Sequence, residues 1–170
     1  MLRIYFGIFF LFLCTCVLSQ RTIENALKTF NSGTVEYITV EEFKEDSVSL
    51  VLDTREMEEF EVSHLHQAYW VGYKTFEIEK IQKQIPDISS PIVVYCSIGV
   101  RSEKIGERLK KAGYSNVRNL YGGIFKWKIN GQIVVDSNGE PTERVHAFSK
   151  LWGDLLTNAE KVYSSKTGNR

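Results

Sequence analysis

The stretch Pro91-Ile-Val-Val-Tyr-Cys96-Ser-Ile-Gly-Val-Arg101-Ser102 decides how the rest of the chain is read. Residues 92–95 form an unbroken run of β-branched and aromatic residues behind a proline, the composition of a strand buried on both faces of a parallel sheet. From Arg101 the period changes. Ile105, Leu109 and Ala112 share one helical face, Glu103, Lys104, Glu107, Arg108 and Lys110 take the other, and Gly113 stands where a helix C-terminus accepts a left-handed residue. A cysteine therefore opens a tight loop between strand and helix. Unpaired amides and the dipole at the helix start favour negative charge, Gly99 lets the backbone fold its N–H groups inward, and Arg101 adds a cation. Such surroundings lower a thiol pKa from about 8.5 toward the nucleophilic thiolate. The competing reading is an inert cysteine buried at a strand end.

The chain has 170 residues, the size of one domain, with 43% hydrophobic and 25% charged residues, an ordinary globular balance. Net charge is zero and no basic block stands out, which argues against nucleic acid and anionic membrane surfaces as partners. Arg3 precedes an uncharged, apolar stretch over residues 4–18, and Val17-Leu18-Ser19 offers residues a signal peptidase accepts. Residues 1–19 are therefore expected to be a secretory signal cut near Ser19, placing the mature chain in the periplasm or outside the cell. The apolar run falls short of the roughly 20 residues that span a bilayer. A lipid anchor on Cys16, behind Leu13-Cys14-Thr15, is the alternative. Cleavage at Ser19 removes Cys14 and Cys16 and leaves Cys96 without an intramolecular partner in a compartment where disulfides are usual. The three histidines show no zinc-type spacing, so neither a metal nor a cofactor is expected.

In chain order, residues 20–35 hold a lead helix, with Ile23, Ala26, Leu27 and Phe30 on one face and Asn31-Ser32-Gly33 as its stop. Tyr37-Ile38 reads as a short strand, and Thr39-Val-Glu-Glu42 as a capping box. Ser49-Leu-Val-Leu52 reads as a second buried strand that delivers Asp53-Thr54-Arg55 at its C-terminal end, where open α/β sheets place their ligand crevices. Arg55 and Glu59 are expected on one helix, four apart, as a surface pair. Gly122-Gly123 opens a short helix with Phe125 and Trp127 in the core. Asn130-Gly131 and Asn138-Gly139 mark turns around a short extended segment, Ile133-Val-Val135. Val145, Phe148, Trp152 and Leu155 form a narrow apolar stripe. The stripe predicts an amphipathic helix in the extension at residues 133–170, begun at Thr142 and followed by a polar tail from Asn158. That helix is expected to dock on the domain or to meet a second copy or a partner.

Taken together, Asp53-x-Arg55-x-x-x-Glu59-Phe60-x-x-x-His64-Leu65-x-x-Ala68, Val94-Tyr95-Cys96-x-x-Gly99-x-Arg101-Ser102, Gly113-Tyr114 and Leu120-Tyr-Gly122-Gly123-Ile-x-x-Trp127 resemble a single-domain rhodanese across residues 36–132, in that family's order and spacing. The resemblance implies a three-layer α/β fold, a small parallel sheet flanked by helices. It also implies a sulfurtransferase in which Cys96 accepts sulfur, Ser97, Ile98, Gly99, Val100, Arg101 and Ser102 cradle the persulfide, and Asp53, Arg55, Glu59 and His64 support the site. The implied donor is a small sulfur-containing anion or a protein persulfide, and the acceptor a thiol or cyanide.

The residues agree with that chemistry, which needs a thiolate, a nest of donors for Cys–S–S⁻ and an acceptor. Arg101 stands either to stabilise the persulfide and draw in an anion, or to point into solvent from a first helical turn. Phosphatases and arsenate reductases of the related fold carry Cys-x5-Arg, whereas Cys96 to Arg101 is Cys-x4-Arg, a nest sized for a single sulfur. A non-catalytic or redox-sensing binding module is the other alternative. Two departures from the family stand out. The usual Gly-His-Ile-Pro-Gly-Ala is here Ser63-His64-Leu65-His66-Gln67-Ala68, without its turn-forming glycine and proline. Cys96 is also followed by Ser97 rather than the basic residue that suits thiosulfate.

Overall fold

The computed structural model describes residues 21–163. The expected leader, with Cys14 and Cys16, and residues 164–170 lie outside the described residues. Among the described residues, no helix is long and apolar enough to cross a membrane.

Helix α1 (Ile23–Phe30) begins at Thr22, whose hydroxyl accepts the amide of Asn25. Strand β1 (Glu36–Ile38) leads into α2 (Val40–Glu45) through the capping box at Thr39 and Glu42. Strand β2 (Leu50–Asp53) is followed by α3 (Met57–Val62), β3 (Tyr69–Trp70) and α4 (Ile78–Gln84). Strand β4 (Ile92–Tyr95), α5 (Val100–Lys111), β5 (Val117–Leu120) and α6 (Gly123–Ile129) complete the domain. The sheet is wholly parallel in the order β1-β5-β4-β2-β3. From β2 the chain moves outward to β3, and from β4 it moves the other way to β5. The crevice between the C-terminal ends of β2 and β4 is thus the switch point where open α/β sheets bind ligands.

Strand β4 is central and all four of its residues are fully buried. Its side chains alternate between two cores. Val93 and Tyr95 join Phe43, Leu65, Ile124 and Phe125 on one face, and Ile92 and Val94 join Ile81, Ile105 and Leu109 on the other. Each such aliphatic burial stabilises by roughly 1.5–3 kcal/mol, so the strand that ends at Cys96 is among the best anchored in the molecule.

The extension differs from the expected amphipathic helix. Residues 134–162 form an antiparallel pair, β6 (Val134–Val135) with β7 (Pro141–Thr142), then β8 (Arg144–His146), a four-residue helix α7 (Lys150–Gly153) and β9 (Glu160–Val162), which pairs in parallel with β8. Thr142 has no acidic residue three positions on, so no capping box starts a helix there, and a short isolated helix is marginal in water. Pairing with residues 160–162 instead buries Val145, His146 and Ala147 in succession. The polar tail contributes a strand. Phe148 then turns the chain at φ 63°, and Ser149 caps α7 through the Trp152 amide.

The missing glycine and proline have a local explanation. The Ala68 amide donates to the Leu65 carbonyl, so His66 and Gln67 occupy the two central positions of a turn, and Gln67 takes φ 62°, the left-handed value that a type II turn uses at its third residue. The turn thus forms with a side chain in the left-handed region. Gln67→Gly is expected to stabilise the protein by about 1 kcal/mol, read as a higher urea midpoint with an unchanged slope.

Candidate active site

Cys96 leaves the central strand 1% exposed, with its Sγ accepting the Gly99 amide at 3.1 Å. Gly99 is the helix cap at φ 102°, a left-handed conformation open to glycine that turns the chain from this amide into α5. Its carbonyl is pulled the opposite way, accepting Asn119 Nδ2 at 2.8 Å and Asn31 Nδ2 at 2.9 Å. A trans peptide sets N–H against C=O, so holding that oxygen outward directs the Val100 amide into the loop. Asn119 in turn accepts the Ser102 hydroxyl at 2.7 Å. On the far side, the Cys96 and Ser97 carbonyls accept the Ile124 and Phe125 amides of α6 at 3.0 Å each. A methyl at Gly123 would lie 2.1 Å from the Cys96 carbonyl oxygen, so the approach of α6 requires glycine there. With carbonyls drawn outward on both sides, the loop interior presents N–H groups.

Burial pushes the Cys96 thiol up, but the Arg101 guanidinium, the hydroxyl and amide of Ser102 and the Gly99 amide outweigh it, and the net pKa falls below the ordinary value. An inert buried cysteine would show the opposite direction. Cys96 is free and buried.

Arg101 neither points to solvent nor stands open to an anion. Its Nη1 and Nη2 reach the two carboxylate oxygens of Glu59 at 2.6 and 2.7 Å, with the side chains 16% and 3% exposed. Ser97 Oγ completes the cluster, donating to Glu59 at 3.1 Å and accepting from Arg101 at 3.0 Å. The expected Arg55–Glu59 surface pair does not form, because α3 starts only at Met57 and Arg55 precedes it. Arg55 is instead fully buried against Asp53, with Nη2 to Oδ2 at 2.6 Å and Nε to Oδ1 at 3.0 Å, and it donates to the Ser63 carbonyl. The Tyr95 phenol, held protonated by burial and by Asp53, donates to the same carboxylate at 2.5 Å. Asp53 and Arg55 thus brace the C-terminal ends of β2 and β4 without touching the sulfur. His64 is not brought to Cys96. It stacks on Phe60 with ring centroids 3.9 Å apart, and its backbone pairs with Val135.

Sequence reasoning missed Asn119 and Glu103, both fully buried, and the Tyr95 hydroxyl. A readable signal existed for Asn119, an amide side chain inside the otherwise apolar strand Val117-Arg-Asn-Leu120. It also missed Phe30, Phe148 and Trp152, which line the cavity above Cys96 and come from segments distant in sequence.

The centre of the site is thus a thiol with a lowered pKa, at the end of a central parallel strand, with the Gly99 amide on its sulfur. The rhodanese-like domain family model matches residues 39–130, more than half of the chain, which therefore belongs to the rhodanese-like domain family. Among curated proteins it is similar to the tRNA uridine(34) hydroxylase of Listeria monocytogenes serotype 4a, 35% identical over 96 residues, which are 52% of this chain and 30% of that protein. The hydroxylase of Sodalis glossinidius is 33% identical over 109 residues, 58% of this chain and again 30% of the relative. The chain thus spans about a third of the curated relatives it matches. A rhodanese-related protein from Thermoplasma volcanium superposes with TM-score 0.52 at 25% identity, covering 59% of this chain and 97% of that one. A thiosulfate sulfurtransferase from Pseudomonas aeruginosa gives TM-score 0.54 at 21% identity, over 71% of this chain and 23% of that one, and shares the fold.

Two expectations follow. Arg101, foremost among several hydrogen-bonded and charged neighbours, outweighs the upward push of burial and holds the Glu59 carboxyl at about 2, below its ordinary 4.5. Its contribution, up to about 3 kcal/mol, is therefore complete above pH 4.5 and is lost as pH falls toward 2. Urea unfolding between pH 5 and pH 3 is expected to lose less stability in Glu59→Gln than in the wild type. Arg101→Gln, which removes the cation foremost among the groups that lower the thiol pKa, is expected to move the pH midpoint of Cys96 alkylation by iodoacetamide upward.

Proposed function

We propose that this protein is a sulfurtransferase that carries a sulfane sulfur as a persulfide on Cys96. The observation carrying the reading is the contact between the Cys96 sulfur and the Gly99 amide in a loop of Cys-x4-Arg length, with the thiol pKa lowered. In the first half-reaction the thiolate attacks the outer sulfur of a donor X–S⁻, the X–S bond breaks, and X leaves with its electron pair. The product Cys96–S–S⁻ places its terminal anion among the amides of residues 99–102, which stabilise it before an acceptor arrives. In the second half-reaction an acceptor nucleophile, a thiolate or cyanide, attacks that outer sulfur and restores the Cys96 thiolate. Asp53, Arg55 and Tyr95 act by fixing the strand ends, and Glu59 by holding Arg101 and Ser97. We further propose that the chain acts in an export compartment, a reading supported by the pattern of residues 1–19. The hydroxylase activity belongs by name to relatives that this chain matches over only 30% of their length, and nothing in the geometry above calls for it.

Incubation with a sulfane donor is expected to add the mass of one sulfur to the wild type and none to Cys96→Ser, and cyanide is expected to remove it with release of thiocyanate. A protein that takes up no sulfur from thiosulfate, polysulfide or an organic thiosulfonate overturns the reading in favour of a binding module.

A further inference from the structure

Above Cys96 the loop opens into a cavity of about 270 Å³. Ile98 and Val100 form its walls, while Phe30 of α1, Phe148 and Trp152 of the extension form its roof. All three roof residues lie outside residues 39–130, so the roof comes from segments beyond the matched family domain. It is assembled by specific contacts. Phe30 meets Trp152 edge to face at 6.1 Å, and Arg21 covers the outer face of Trp152 at 5.7 Å while donating to the Leu151 carbonyl. Three lining side chains bear polar groups besides the thiol, the Trp152 indole N–H, Arg101 and Ser97, and the two nearest the cysteine loop are already engaged. Arg101 has its charge matched by Glu59 and its guanidinium laid over Phe148 at 4.8 Å, and the Ser97 hydroxyl is turned to Glu59.

Before it reaches the loop amides, a ligand approaching the sulfur therefore meets mostly aromatic and aliphatic carbon together with a neutralised ion pair. A small dianion would surrender its hydration there without gaining an unpaired cation, which disfavours its entry. An apolar group gains by burial, and the volume suffices, since apolar cavities of roughly 150 Å³ hold benzene. We propose that the sulfur donor of this site carries its sulfane sulfur on an apolar body about the size of an aromatic ring, with at most one negative charge, and that Phe30, Phe148 and Trp152 select it over thiosulfate. The inference rests on the sulfurtransferase reading of Cys96.

Benzenethiosulfonate serves as the probe. The Cys96 thiolate bonds to its outer sulfur, the bond between that sulfur and the sulfonyl sulfur breaks, and benzenesulfinate leaves with the electron pair. Cyanide then takes the outer sulfur as thiocyanate and returns the thiolate. Methanethiosulfonate has the same charge and the same reacting group without the ring, so the pair isolates the apolar body. Reaction of both donors with free thiolate in solution corrects for the leaving groups.

On that corrected scale, kcat/KM for benzenethiosulfonate is expected to exceed that for methanethiosulfonate at least tenfold, with thiosulfate the slowest of the three. Phe30→Ala and Trp152→Phe are each expected to reduce the benzene-to-methane ratio at least threefold. Phe30 is 52% exposed, so its truncation leaves the core intact, and a ratio of two donors on one protein is insensitive to the fraction folded. A corrected ratio near one, or a ratio unmoved by both substitutions, with sulfur still loading on Cys96, overturns the selectivity and leaves sulfur transfer standing. Failure of all three donors to load Cys96 removes the sulfurtransferase reading and this inference with it.

Discussion

Arg101 gives both terminal nitrogens to Glu59, and the character of the site follows from that pairing. The bond ties the first turn of α5 to α3 across the mouth of the cysteine loop, and it also orients Ser97. Two charges so nearly buried persist only because each satisfies the other, so the pair fixes geometry more than it adds net stability. It leaves a cation close enough to favour a thiolate on Cys96, yet already matched and therefore a poor attractant for a second anion.

Below that pair, position is set by buried polar groups. Asp53 is held by Arg55 and the Tyr95 hydroxyl, which locks the ends of β2 and β4 together. Asn119 and Asn31 hold the Gly99 carbonyl away from the sulfur, while α6 holds those of Cys96 and Ser97. The amides face inward because the carbonyls have partners outside the loop.

What the sequence made legible was local. The strand, loop and helix around Cys96 were readable because the hydrophobic period changes from two-sided burial to a helical face within a few residues. The capping box at Thr39 and the turns at Asn130-Gly131 and Asn138-Gly139 were readable for the same reason, since their signals lie within four positions. Pairings between distant residues were not readable. Glu59 was assigned to Arg55, four positions away, and its true partner lies 42 positions on. The stripe through Val145 and Trp152 obeyed a helical period, yet β8 takes its conformation from β9, whose short run Glu160-Lys-Val162 carries no strand signal strong enough to recognise alone. The aromatic roof was hidden similarly, because α1 and α7 meet only once the domain between them has folded.

The grip of α6 on the loop has a further consequence. Since Gly123 admits no side chain and the Cys96 and Ser97 carbonyls are bonded into a buried helix, the loop takes its shape from the hydrophobic interior before any ligand arrives. A host already shaped for its guest needs little rearrangement when charge arrives, and dipoles fixed in advance stabilise that charge more effectively than water, which must reorient. Under the proposed function a reactant reaches such a centre past the rings above it, and the backbone beneath serves as a rigid mould.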